Sequence, residues 1–501
     1  MTVVVAIDAG TTGVRAIAFN QHGRAVSSSY REFTQYFPQP GWVEHDADEI
    51  WNAIQLVLSE VKTSLSESGE TIAAIGITDQ RETIVAWDRS TGRPLHRAIV
   101  WQDRRTADFC ARLEAEGTLG LVRSTTGLVL DPYFSGTKAQ WLFTEGGVAS
   151  TSSVAIGTID SWLIWKLTDG AHHVTDATNA SRTMLFDIRS GEWSDELCSI
   201  LSVPHHVLPT VVPSSGRVGL TSSSCALGAG IPISGIAGDQ QASLFGQACF
   251  EPGMAKNTYG TGSFVLMNMG SECPAPVEGL LTTVAWSLPT QSGAPQLTYA
   301  YEGAIFVTGS GVQWLRDGLE LIENSSDVTA LAASVESSEG VMIVPAFTGL
   351  GSPWWDPYAR GTILGITRGT TSAHIARAML DAIAFQTRDV VDAMTNAGGL
   401  TLKSLRADGG AASDYVLQLQ ADQLGVPVHR PTVPETTALG AAYLAGLAEG
   451  VWDSLDDITS NWVVDVTVEP SADPTLVDLN HQQWLRAVER SRGWAKESPN
   501  A

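Results

Sequence analysis

The chain has 501 residues, more than one hydrophobic core organises, so two large domains are expected, and its 44% hydrophobic content is enough to pack both. A formal net charge of −24 excludes nucleic acid and anionic membrane surfaces as partners, since both require a basic face. Five cysteines (Cys110, Cys198, Cys225, Cys249 and Cys273) lie far apart with no C-x-x-C pair, against both a disulfide framework and a zinc site. The opening "MTVVVAIDAG" has neither the basic nor the long apolar region of a signal peptide, and no apolar run of about 18 residues follows. A cytoplasmic protein with reduced thiols is expected.

From residue 3, "VVVAIDAGTTGVRAIAFNQHGRAVSS" reads as three strands broken by the turns "GTTG" and "NQHG". In "DEIWNAIQLVLSEVKTSL" Ile50, Ile54, Val57, Leu58, Val61 and Leu65 recur at helical spacing, and "IAAIGIT" then reads as a strand. The plan restarts near residue 250, where "GMAKNTYGTGSFVLMNMG" again gives strand, Gly/Thr turn, strand. A long helix follows over "HIARAMLDAIAFQTRDVVDAM", closed by Gly398 and Gly399. A strand and glycine turn, "SLRADGGAASD", and the helices of "YVLQLQADQLG" and "ALGAAYLAGLAEG" complete the second unit. Two α/β halves of similar plan are predicted, and the acidic tail after Trp452 carries little pattern.

Gly/Thr turns between strands gather backbone N–H groups and hydroxyls at one point, a nest that holds anions without net positive charge. That device suits phosphate on an acidic protein. Neither G-x-x-x-x-G-K-[ST] nor a helix-opening G-x-G-x-x-G is present, so a Walker loop and a dinucleotide fingerprint are disfavoured. In "SGIAGDQQASLFG" one carboxylate and two amides, Asp239, Gln240 and Gln241, interrupt a run of small and apolar residues. Asp239 there is either a helix cap or a site group.

Ten segments together decide the question: "AIDAGTTGVRAIAF", "GWVEHDADEIW", "GITDQRET", "AIVWQDRRT", "DPYFSGTK", "GIAGDQQASLFGQ", "NTYGTGSF", "FTGLGSPWWDPYARG", "ADGGAASD" and "TALGAAYLAG". In this order they resemble the glycerol kinases of the FGGY carbohydrate kinase family, within the actin-like, hexokinase-like ATPase superfamily, from residue 3 to about 450. The resemblance implies an α/β fold of two actin-like, ribonuclease-H-like domains, each a mixed five-stranded sheet flanked by helices, closing on a cleft. It places a polyol and part of the phosphate site in residues 1–249 and the nucleotide site in residues 250–501. The implied activity is phosphorylation of glycerol by Mg²⁺-ATP, in a homodimer or homotetramer. A kinase for another polyol or a ketose is the alternative, and a non-catalytic actin-like ATPase is opposed by a complete set of chemical groups.

By the same resemblance Asp239 is the catalytic base. Arg81 and Glu82 hydrogen-bond the triol, Trp101 and Phe264 pack its carbons, and Tyr133 and Gln240 complete the pocket. Asp8 holds Mg²⁺ through water; Thr11, Thr12, Gly13, Arg15, Gly260 and Thr261 take phosphates; Gly309, Gln313, Gly410 and Asp414 take the nucleoside. Such a set has chemical sense, because a triol needs donors, charged acceptors and an apolar wall. Three positions depart from the usual pattern: Ala9 replaces Gln, Asp79 replaces Asn, and Asp414 stands where Asn is common. The loop "GLTSSSCALGAG", residues 219–230, has no Lys, Arg or His, so neither fructose 1,6-bisphosphate inhibition nor activation by His phosphorylation is expected there; His205 and His206 lie upstream.

Overall fold

The computed structural model describes residues 2–290 and 293–496. The apolar opening pairs as expected: strand Thr2–Ala9 lies antiparallel to Gly13–Asn20, which lies antiparallel to Ala25–Glu32. Thr2–Ala9 also pairs in parallel with Thr71–Asp79, which pairs in parallel with Pro232–Gly238, and Ser215–Leu220 closes the far edge. Helix Ala47–Ser68 connects the parallel strands. The carboxylate of Asp46 accepts from the Asp48 and Glu49 N–H groups at its start, and Gly69 at φ 73° ends it.

The second sheet repeats this plan. Ala255–Tyr259 is antiparallel to Ser263–Gly270 and parallel to Leu405–Asp408, which is parallel to Val428–Pro431. Leu281–Leu288, Gln296–Ile305 and Val464–Val468 extend it. The sheets therefore have six and seven strands, not the five expected. The excess comes from antiparallel edge strands; one of these, Val464–Val468, arises in the tail that showed little pattern. The long helix runs Ser372–Gly398, opened by a capping box between Thr371 and His374, with Gly399 in the left-handed conformation at its end. A smaller sheet, Gln35–Tyr36, Glu44–His45, Ala98–Ile99, Ile84–Asp88 and Val154–Thr158, flanks the first half.

Helix Thr436–Ala448 comes late in the chain yet lies on the first sheet, beside helix Asp239–Gly246. Its run of Ala and Gly permits backbone-to-backbone approach: a Cβ at Gly440 would sit 1.8 Å from the Ala242 carbonyl, and one at Gly246 would sit 2.0 Å from that of Thr436. Residues Val4, Ile17, Phe245, Leu266, Trp286, Ala441 and Tyr443 share one buried apolar cluster there, joining both halves. All five cysteines are free, and no helix among the described residues is long and apolar enough to cross a membrane.

Candidate functional site

Register brings the predicted groups together. Ala9 pairs with Asp79, and Asp79 with Gly238, so Asp8, the Asp79-Gln80-Arg81-Glu82 segment and Asp239 emerge side by side at the carboxyl ends of three parallel strands. Ligands of open α/β sheets bind at such ends. Asp239 is not the helix cap. Gly238 holds that position, Asp239 is the first helical residue, and its Oδ1 accepts from the Gln240 N–H at 2.7 Å. Oδ1 also pairs with Arg81 Nε at 3.0 Å, while Oδ2 has no hydrogen bond among the described residues.

Arg81 and Glu82 are both buried. Beyond Asp239, the Arg81 fork donates to Glu302, to Gln241 Oε1 at 3.2 Å and to Tyr133 at 3.5 Å, and lies 5.8 Å over the Phe264 ring. Glu82 adopts φ 61°, a left-handed backbone rarely taken by a residue with a side chain. Its carbonyl is fixed by Ser135 Oγ at 2.9 Å. Burial pushes the Glu82 carboxyl above its ordinary pKa, and Arg182 and Arg81 offset only part of that rise. Trp101 meets Tyr133 edge to face at 5.6 Å, and its Nε1 donates to Thr11 Oγ1 at 2.9 Å, linking the aromatic wall to the first glycine turn. Gln240 Oε1 accepts from Lys256, a buried lysine whose pKa burial lowers to about 8.

The glycine turns lie at the ends of paired strands in both sheets. Thr11, Thr12 and Gly13 form the first hairpin turn. In the second, the Gly309 N–H donates to the Gly260 carbonyl at 3.0 Å, and Thr308 and Ser310 donate to the Thr261 carbonyl. The third turn joins them, with the Ala411 N–H on the Tyr259 carbonyl at 2.9 Å and Gly409 at φ 96°, beside Gly410. Gly309 begins the helix Gly309–Asp317, from which Gln313 points into solvent. Asp414 is exposed and pairs with Arg430 at 2.7 Å. Arg15 does not stand free for phosphate: its guanidinium pairs with Glu435.

Asp8 could hold a hard cation. Burial raises its pKa to about 7, Arg15 opposes the rise, and Asp239 and Glu435 add to it. A divalent ion here would relieve that crowding of carboxylates. No cluster of three or more His, Cys, Asp or Glu among the described residues forms a closed metal cage. The donor set suits Mg²⁺, which keeps waters and shares substrate phosphates.

Sequence reading missed four groups: Glu302, Arg182, Lys256 and the buried acids around Asp79. Asp79, Asp160 and Asp176 are all fully buried, and no ion pair among the described residues satisfies any of them. Asp79 accepts from Asn179 Nδ2 at 3.0 Å. Asp160 accepts from Thr158 and Thr175 hydroxyls, and Asp176 from Thr178, Asn179 and Ser214. A lone charged residue inside an apolar strand was the available signal for Glu302, because such a charge requires a partner.

Residues 3–246 match the N-terminal domain of the FGGY family of carbohydrate kinases, and residues 255–449 match its C-terminal domain. The chain is 53% identical over 498 residues to a glycerol kinase of Bordetella parapertussis, covering 98% of each. It is 54% identical over 500 residues to one of Deinococcus radiodurans, covering 99% of this chain and 98% of that one. The crystal structure of Plasmodium falciparum glycerol kinase with ADP superposes with a TM-score of 0.92 at 36% identity, covering 98% of each chain.

Proposed function

Because the chain belongs to the FGGY family of carbohydrate kinases, we propose that it transfers the γ-phosphoryl group of ATP to glycerol, giving sn-glycerol 3-phosphate and ADP. The observation that carries this reading is identity above 50% with glycerol kinases over nearly the whole chain. In the proposed reaction Arg81, Glu82, Tyr133 and Gln240 bind the glycerol hydroxyls, with Trp101 and Phe264 against its carbons. The Lys256 ammonium occupies the Gln240 carbonyl, which leaves the amide nitrogen as the end for a substrate hydroxyl. Asp239 Oδ2, the oxygen without a hydrogen bond, receives the proton of the attacking hydroxyl as the new O–P bond forms and ADP leaves.

Thr11, Thr12, Gly13, Arg15, Gly260 and Thr261 hold the phosphates, and Gly309, Gln313, Gly410 and Asp414 the nucleoside. Arg15 would exchange Glu435 for phosphate. Asp8 would hold Mg²⁺, which would neutralise phosphate charge there. The division at residues 249 and 250, assembly as a homodimer or homotetramer, and a cytoplasmic location belong to the same proposal and draw their support from the family resemblance. The test is a coupled ADP-release assay with glycerol, dihydroxyacetone, erythritol, xylitol, xylulose and ribulose. Glycerol should show the highest kcat/KM; a five-carbon substrate surpassing it would replace this reading with that of a sugar or pentitol kinase.

A further inference from the structure

Arg81 and Glu82 sit on the first half of the chain, but the first half alone does not hold them. Glu302, on strand Gln296–Ile305 of the second sheet, is fully buried and receives both arms of the Arg81 fork: Nη1 on Oε2, and Nη2 on Oε1 at 3.1 Å. Its Oε1 also accepts from Arg182 Nη2 at 3.0 Å, and Arg182 Nε donates to Glu82 Oε1 at 2.6 Å. The result is a chain of alternating charge, Glu82–Arg182–Glu302–Arg81–Asp239, whose first three links are hydrogen bonds and whose last is an ion pair at 3.0 Å. Arg182 is fully buried and lies over the Tyr133 and Phe134 rings at 5.6 and 5.3 Å.

This arrangement differs from a buried ion pair that serves stability alone, because both of its ends are groups assigned to substrate. Glu302 fixes the plane of the Arg81 guanidinium by a two-armed contact, which restricts rotation about its terminal bonds. Arg182 occupies one oxygen of Glu82 and leaves the other. Burial opposes ionisation of Glu302, yet Arg182 and Arg81 outweigh it and hold the carboxyl at about 2, so the pairing keeps its charges at neutral pH.

From this geometry we infer that Glu302 and Arg182 are positioning residues for glycerol, which set the Arg81 fork and the Glu82 carboxylate, so that the second half completes the glycerol site. The inference rests on the assignment of Arg81 and Glu82 to glycerol made above.

The experiment compares Glu302→Gln, Glu302→Asp and Arg182→Lys with the wild-type chain in steady-state kinetics for glycerol and ATP separately. Glu302→Gln keeps the shape and removes the charge. Its glycerol KM should rise by about tenfold or more while the ATP KM stays within about twofold. Arg182→Lys keeps the charge and loses the fork, and should raise glycerol KM in the same selective way. Glu302→Asp, which retains the charge, should fall between wild type and Glu302→Gln, and it carries the test should Glu302→Gln fail to fold. Asp389→Asn is the control for stability: Asp389 is the buried partner of His481 and Trp484, and its loss should lower Tm without moving glycerol KM. Calorimetric titration of glycerol in the absence of ATP should show the same weakening. A glycerol KM within twofold of wild type in the Glu302 and Arg182 variants, or a rise shared equally by ATP, would overturn the inference. Failure of the wild-type chain to phosphorylate glycerol would instead overturn the function itself.

Discussion

Replacing Asp239 by Asn separates chemistry from architecture. The near-isosteric amide oxygen can accept the two contacts that Oδ1 makes, with Arg81 Nε at 3.0 Å and the Gln240 N–H at 2.7 Å. Arg81 is not stranded by the loss of charge, because Glu302 remains on its fork. The Asp239 side chain is 32% exposed, so solvent screens the missing charge, and the cost in fold stability should be no more than about 1 kcal/mol. Oδ2, however, becomes an NH2 group that cannot take a proton. Loss of a general base costs about 10²- to 10⁴-fold in turnover, equivalent to about 3–5 kcal/mol in the barrier. Coupled ADP release measures kcat, and thermal melting together with glycerol titration measures what is retained. An Asp239→Asn chain that kept more than half of wild-type turnover, with unchanged Tm, would refute the role of base and leave Asp239 as a first-turn carboxylate.

Burial first, and then the neighbouring Asp160, raises the Asp79 pKa well above that of an ordinary carboxyl; burial raises Asp160 to about 7. Groups with raised native pKa values stabilise the fold most below their unfolded value, and that contribution falls as pH rises through the native one. The Tm advantage of Asp79→Asn over wild type should therefore grow between about pH 5 and pH 8, and a constant difference would contradict the account. Gly440→Ala should destabilise by about 3 kcal/mol in denaturant unfolding, since its Cβ would overlap the Ala242 carbonyl; a neutral result would show that the two helices separate freely. Millimolar fructose 1,6-bisphosphate should leave activity unchanged at physiological salt, because the 219–230 loop carries no Lys, Arg or His and Lys62, which reaches it, already donates to the Ala226 carbonyl at 3.0 Å. Saturable inhibition that disappears in Lys62→Ala would show that this single lysine builds an anion site.

The duplicated hairpins were legible because each local signal agreed with the tertiary outcome: apolar strands on both sides of Gly/Thr turns, and a long helix closed at Gly399. The tail carries more pattern than its acidity suggests. Val477, His481, Trp484 and Val488 recur at helical spacing behind Pro474, and the helix Pro474–Ser491 buries that face. The smaller flanking sheet escaped notice because strands such as Glu44–His45 and Ala98–Ile99 have only two residues, too short for any periodicity. Lys62 comes to the 219–230 loop from a helix more than 150 residues earlier, and Glu302 meets Arg81 from another sheet; pairings at such separation leave no local pattern.

Helix Thr436–Ala448 has a mechanical corollary. The backbone leaves the first sheet after Gly246, builds most of the second, and returns to the first through Glu435 before passing back to edge strand Val464–Val468. No single scission can then release either half intact, because a fragment ending near residue 249 would lack the helix that covers Gly76, Gly235 and Gly246. Calorimetry should accordingly record one melting transition, with both halves losing structure together, in place of the two separable transitions of domains tied by a single linker.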